Sequence, residues 1–298
     1  MQRAAGSELR MRELGPRVIR DHLPDQHREF FERLPMLLVG SVDAQLRPWA
    51  SMLTGWPGFI ATPDAQHLRV AAWPREEDPL HALLRIGGAL GLLGIEPQTR
   101  RRNRVNGHVV ALGDQGFELR VDQSFGNCPK YIQARTPRWA GETSQRLPVR
   151  HEGARLSDAS AALVASADTL FIASAVPGQG VDVSHRGGKP GFVRVEQSAS
   201  GTVLTLPDFI GNFFFNTLGN ITAHPKAGLL FVDHATGGVL QLTGRAAIIA
   251  SGAEVEAIAG AQRLLRIEVE AGLWSPEALP LRWSAPVLAP QFDAAGNS

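Results

Sequence analysis

Three short motifs occur twice in this chain, in the same order and at nearly the same offset. Gly55-Trp56-Pro57-Gly58-Phe59 returns as Gly188-Lys189-Pro190-Gly191-Phe192. Gly91-Leu92-Leu93 returns as Gly228-Leu229-Leu230, and Asn106-Gly107 returns as Thr243-Gly244, each pair standing before or within an apolar run. The offset is roughly 135 residues each time, far longer than a solenoid repeat and close to one domain length. One Gly/Pro motif recurs by chance; three in one order and register argue for a duplicated domain. The competing reading is two barrels without a shared site, in which Pro-Gly-Phe is only a tight turn.

The strand signals agree with a duplication. Met36–Val42 is an apolar strand, Asp43-Ala44-Gln45 a turn, and Pro48–Leu53 the return strand of a hairpin. Strands follow at 68–72, 90–95, 107–112 and 116–121, with a helix at 79–86. The second half runs strand 169–175, hairpin, strands 191–196 and 202–206, a helix around 212–223, and strands 227–233, 239–250 and 264–269. Many short strands with few helices predict an α+β chain, mainly β, with a small closed barrel in each half. The expected organisation is an N-terminal arm (1–24), a first repeat (25–136), a polar linker (137–158), a second repeat (159–285) and a tail (286–298).

Composition narrows the function. The net charge is +1 over 298 residues, which argues against a nucleic-acid or anionic-membrane footprint. The sole cysteine, Cys128, allows no intramolecular disulfide and no cysteine-rich zinc site. The first fifteen residues lack a signal-peptide apolar core, and the most apolar stretch, Leu83–Ile95, is short and contains Arg85. A cytoplasmic protein without a membrane span is expected. Dinucleotide, Walker, nucleophile-elbow and HExxH signatures are all missing, so any hard chemistry would come from a cofactor.

Four segments carry candidate chemistry. Val183–Phe192 sets Ser184, His185, Arg186 and Lys189 around a glycine-rich bend with Gly188 and Pro190, where a flat or phosphorylated ligand could approach the backbone; a solvated hairpin tip is the plainer alternative. Leu206–Asn220 holds Asp208 and three asparagines, Asn212, Asn216 and Asn220, spaced four apart. Asn212 stands at the expected helix N-terminus, suited to a phosphate or to simple capping, and the phenylalanines beside it read as core. Arg100-Arg101-Arg102-Asn103-Arg104 is a dense cation run, either phosphate-binding or solvated. Phe125–Gln133 includes Asn127, Cys128, Lys130 and Tyr131, the last the only tyrosine.

Three of these strings, Asn127-Cys128-Pro129-Lys130-Tyr131-Ile132, the Ser184–Phe192 segment and Pro207-Asp208-Phe209-Ile210-Gly211-Asn212, resemble the FMN-binding proteins related to pyridoxamine 5'-phosphate oxidase. The resemblance spans about Phe30 to Trp283. It implies two FMN-binding split β-barrels in tandem, forming an internal pseudo-dimer that can itself form a homodimer. It implies FMN in the cleft between barrels, held by Ser184, Arg186, Gly188, Lys189, Pro190, Asp208, Asn212 and Asn216 of the second repeat. Asn127, Cys128 and Lys130 would reach the flavin from the first, with Arg101 and Arg102 available for the phosphate. Phe213 and Phe214 stand where relatives often carry arginines, and Arg75-Glu76-Glu77-Asp78 in the first repeat would repel a phosphate, so one occupied cleft is expected. The implied function is an FMN-dependent oxidoreductase of a small molecule, with NAD(P)H or a reductase as donor. The alternatives are a flavin carrier without a substrate of its own, and a haem-binding split barrel using His185 or His224.

Overall fold

A computed structural model describes residues 2–3, 6–141 and 147–293. Strands β1 (Met36–Val42), β2 (Pro48–Thr54), β3 (Ile60–Asp64), β4 (His67–Val70), β5 (Ala89–Glu96), β6 (Arg101–Gly113) and β7 (Gly116–Gly126) form one antiparallel sheet ordered β2-β1-β5-β6-β7-β4-β3. After β8 (Pro137–Trp139) and β9 (Arg150–Glu152) come β10 (Thr169–Val176), β11 (Gly180–Gly187), β12 (Arg194–Ser198), β13 (Gly201–Phe209), β14 (Lys226–Val232), β15 (Val239–Ile249) and β16 (Ala261–Ser275). Their order is β11-β10-β14-β15-β16-β13-β12, the first sheet repeated strand for strand. A final strand, β17 (Leu281–Trp283), pairs with β8. The helices are α1 (Glu8–Val18), α2 (Asp25–Glu32), α3 (Pro79–Leu83), α4 (Asp158–Ser166), α5 (Asn216–Ala223), α6 (Ala253–Glu256) and α7 (Pro290–Asp293).

Each sheet curls into a barrel. Leu37, Leu53, Ile60, Leu68, Leu92, Val105 and Leu119, one from each strand of the first half, share a single buried cluster. Strands spaced about 4.8 Å apart would put the edges of a flat seven-stranded sheet roughly 30 Å from each other, so this convergence requires closure. The second half builds its own cluster from Ile172, Leu204, Leu229, Leu242 and Leu265.

A third cluster joins the barrels. Side chains alternate along β1, so Leu37 and Val39 enter the first core while Met36 and Leu38 face outward. The outward set meets Phe171, Ala173, Val183 and Leu230 of the second barrel. Burial on both faces explains why β1, β5, β10 and β14 read as continuous apolar runs. It also explains the repeated Gly-Leu-Leu. A Cβ on Gly91 would lie 2.5 Å from the Val181 carbonyl oxygen, and one on Gly228 would lie 2.3 Å from that of Pro48. Val181 and Pro48 occupy matching places on β11 and β2, so the two contacts are pseudo-symmetric copies. The Pro-Gly-Phe turns match as well: a Cβ on Gly55 would strike the Phe59 ring, as one on Gly188 would strike that of Phe192. Gly107 and Gly244 both mark register shifts in long hairpins.

Several expectations need adjusting. The charged arm contains α1, and its end is anchored by fully buried Leu23 and by a bridge from Arg20 to Ser124. The described parts of the 137–158 linker are paired: β8 with β17, and β9 with β16. Residues 142–146 of that segment lie outside the described residues. The tail bridges back through Val287 to Ala134, and Ala289 and Phe292 are buried. Polar composition hid these segments because their partners are remote strands. Strand 191–196 begins at Arg194. Among the described residues, no helix is long and apolar enough to cross a membrane.

Because backbone atoms oppose Gly228, Gly228→Ala should lower stability by about 1–3 kcal/mol through forced separation of the barrels. Gly113→Ala, where nothing lies within 4 Å, should stay within about 0.5 kcal/mol of the parent. Urea denaturation of both variants checks the difference; equal losses would contradict the packing argument.

Candidate functional site

The seam between the barrels opens into a polar cleft. Its first wall is β6. Alternation along this strand splits the arginine run: Arg102 and Arg104 face the second barrel, while Arg101 lies exposed with its guanidinium 5.1 Å from the Phe30 ring centre. Arg100 is structural, donating to the carbonyls of Ile132, Val287 and Leu288. The facing wall is the edge strand β11, which presents Asp182, Ser184 and Arg186 at alternate positions. Asp208 and Phe209 at the end of β13, the Asn127–Tyr131 segment and residues 211–218 complete the lining.

The Asn127–Tyr131 segment is held against β11 by the Arg-Gly-Gly sequence. A Cβ on Gly187 would lie 2.0 Å from the Tyr131 carbonyl oxygen, so only glycine allows this approach. The Gln133 side-chain amide donates to the Gly188 carbonyl from the same side. Tyr131, left-handed at φ 66°, donates its hydroxyl to the Ile210 carbonyl at 3.1 Å and stacks on Phe209.

Cations outnumber anions here. Arg104 is buried, bonded to Asp182 at 3.1 Å and to the Ser184 hydroxyl, and lies 5.3 Å from the Phe125 ring centre. Burial lowers its pKa from the ordinary value, with Asp182 opposing that shift. Arg186 is paired with Asp208. Arg102 donates only to neutral groups, the Cys128 carbonyl at 2.8 Å and His185 Nδ1 at 3.0 Å. Burial, with Arg104 and Arg186 nearby, pulls its pKa down to about 10. Lys130 has no hydrogen-bond or ion-pair partner among the described residues. Buried donors without partners also remain in these walls: Asn127 Nδ2, Arg104 Nε and Arg186 Nε. Donors and charge of this kind are able to bond the oxygens of an anion.

Ser184, Arg186, Asp208, Asn212, Asn216, Asn127, Cys128, Lys130 and Arg102 thus come together on one cleft. Gly188, Lys189, Pro190 and Arg101 do not. Gly188 is buried against Phe192, and Lys189 and Pro190 project to solvent at the turn beyond β11. Asn212 is not at a helix N-terminus. Phe213 and Phe215 are left-handed at φ 64° and 58°, which delays α5 until Asn216; the Asn212 side chain instead accepts from the Phe214 N–H. Nor are these phenylalanines simply core. Phe213 and Phe215 line the cleft, and Phe214 packs on Phe125 of the first barrel. Asp182 and Thr217 escaped the sequence reading. Asp182 accepts from Arg104, Asn106 and Asn220 and anchors the wall, and an isolated aspartate in a strand gives no hint of that.

The pseudo-symmetric counterpart of the cleft is a smaller hollow of about 80 Å³. By strand register Ser51 matches Ser184 and Gln241 matches Arg104. There, Asp78 accepts from Ser51 at 2.6 Å and Gln241 at 3.2 Å, its pKa raised by burial. Glutamine stands in the place of Arg104, and Arg75 lines the hollow with Nε and Nη2 buried and without a hydrogen bond.

No family model and no curated protein matches this chain. The fold is the split β-barrel, in two copies. Solved structures with a similar barrel include a FAD-binding protein of Mesorhizobium loti, at 17% identity and a TM-score of 0.28, covering 43% of this chain and 99% of that one. HutZ, a haem storage protein of Vibrio cholerae, matches at 13% identity and 0.28, covering 41% and 95%. A pyridoxamine 5'-phosphate oxidase candidate of Lactobacillus delbrueckii matches at 11% and 0.31, covering 40% and 93%. At such scores these likenesses bear on neither ligand nor activity.

His185 and His234 make stability depend on pH. Burial, then Arg102, Arg186 and Arg135, hold the His185 pKa well below 6.5; burial and Arg135 bring that of His234 to about 4. Both are depressed relative to the unfolded chain, so below pH 6.5 the unfolded state binds more protons and stability falls with pH. Each contributes a slope of up to about 1.4 kcal/mol per pH unit between 6.5 and its folded pKa. Urea midpoints at pH 7.5, 6 and 5 should decline, and less steeply in His185→Gln.

Proposed function

We propose that the chain binds FMN between its barrels and acts as an FMN-dependent oxidoreductase on a small molecule, taking electrons from NAD(P)H or a reductase. The observation that carries the reading is Arg102: a half-buried guanidinium with no carboxylate in ion-pair reach among the described residues. Such a charge is costly to bury alone, and a ligand phosphate offsets that cost with charge-assisted hydrogen bonds. The enclosed part of the cleft, about 120 Å³, is well below the roughly 300–1,000 Å³ of a site that swallows a whole small ligand. It suits the anionic end of a ligand whose remainder extends along the seam.

The flavin, when bound, supplies hydride chemistry. The chain's own residues divide the remaining work. Arg102 and Lys130 provide the uncompensated positive charge. Arg104 and Arg186 add donors, Nε of each being free, while Asp182 and Asp208 fix their orientation. Asn127 Nδ2 is a neutral donor from the other barrel. The haem alternative lacks support from its two named ligands. His185 Nδ1 accepts from Arg102 within the wall, and His224 hydrogen-bonds the Leu46 carbonyl outside this cleft.

Thermal melting with added FMN and riboflavin tests the reading. FMN should raise the parent's melting temperature, and riboflavin, without the phosphate, should do so far less. Arg102→Met should melt higher than the parent without ligand, being relieved of a buried charge, and should lose about tenfold or more in FMN affinity. Equal effects of FMN and riboflavin would refute the phosphate assignment.

A further inference from the structure

Beside the cleft, across Asp208, Phe213 and Phe215, lies a second hollow of about 570 Å³, within the usual range for a small-molecule site. We infer that this trough takes an adenosine 5'-phosphate group; the inference rests on the flavin reading only for what lies next door. The group would be the second half of a flavin dinucleotide, whose FMN half keeps the place proposed above, or part of a nicotinamide dinucleotide donor.

Three features converge on that chemistry. The first is aromatic surface. Phe213 and Phe215 are both partly exposed and set edge to face at 6.1 Å, with Ile248 beside them. Both hold left-handed backbone angles, an uncommon and strained conformation for a bulky residue. Both line the hollow, Phe215 beneath the Arg263 guanidinium and Phe213 beside it. Purines stack on such faces, as bases do on aromatic platforms. The second is charge. Arg263 Nη1 is ion-paired with Asp208 Oδ2 at 3.5 Å but makes no hydrogen bond, and the guanidinium lies over the Phe215 ring at 5.1 Å. Asp208 is already paired with Arg186, so two guanidiniums share one carboxylate where the trough meets the cleft. A phosphate there balances the surplus. The third is the exposed Gln262 amide on the rim, able to donate to and accept from the edge of a base. A purely apolar ligand would leave the surplus guanidinium charge around Asp208 unmatched, and a bare anion would leave the Phe213 ring uncovered.

The test is calorimetric titration of the full chain with 5'-AMP, followed by competition with FMN, FAD, NADH and NADPH. AMP should bind at one equivalent and more tightly than adenosine. Arg263→Ala should weaken it about tenfold or more, and Ala250→Trp, which fills the outer trough, should do likewise; melting transitions confirm that both variants fold. Displacement of AMP by FAD but not by FMN assigns the trough to the flavin dinucleotide. Displacement by NADH or NADPH while FMN stays bound assigns it to the donor. No AMP binding, equal binding by parent and variants, or displacement by FMN alone would overturn the inference. FMN binding without AMP binding leaves the flavin reading standing, whereas AMP binding without FMN binding removes only that reading.

Discussion

Two barrels pressed together through β1, β2 and β5 on one side and β10, β11 and β14 on the other set the conditions for everything else in this molecule. The contact is close because Gly91 and Gly228 let one backbone approach another without a Cβ between them. It commits β1, β5, β10 and β14 to being apolar on both faces. It also lays β11, the edge strand of the second barrel, beside β5 and β6 of the first. Arg102 and Arg104 reach Ser184, His185 and Asp182 only through that adjacency. The polar cleft is therefore a product of apolar packing, in which charges are desolvated at the rim of a dry interface.

The pseudo-symmetry makes the site's chemistry easier to judge. Two places in the molecule have the same strand geometry, and they have been filled differently. One holds Arg104 over Ser184, with Arg102, Arg186 and Lys130 around it. The other holds Gln241 over Ser51, with the Asp78 carboxylate bonded to both. The second place has a carboxylate of its own, although Arg75 beside it keeps Nε and Nη2 buried without a hydrogen bond. The first retains donors with nothing to bond, and positive charge with too few carboxylates. Because the backbone frame is shared, side chains account for the difference between the two places.

The strained loop 211–215 links the cleft to its neighbouring trough. Had α5 begun at Asn212, the rings of Phe213 and Phe215 would follow helical geometry. Left-handed angles at both break that path, and Arg263 packs over Phe215 at 5.1 Å. The aromatic residues at 213 and 215 thus give this wall rings beside a guanidinium.

Much of the fold was legible in the amino-acid sequence because its signals are local or periodic. The repeated glycine motifs announced the duplication, and apolar runs located the strands. The strings at Asn127, Ser184 and Asp208 marked three walls of one cleft. What stayed hidden depended on distant partners. Nothing near Arg101 and Arg102 says which of them faces the seam; strand alternation and the position of the second barrel decide it. Lys189 sits inside a suggestive motif yet points to solvent, because Gly188 is consumed by packing on Phe192. Asp182 and Arg263 carry no motif, and they matter because β6 and Phe215 are packed against them. The sequence by itself determined two barrels and the residue types available to a site. Tertiary structure alone decided which charges remain unpaired, since pairing depends on which surfaces the interface brings within hydrogen-bond reach.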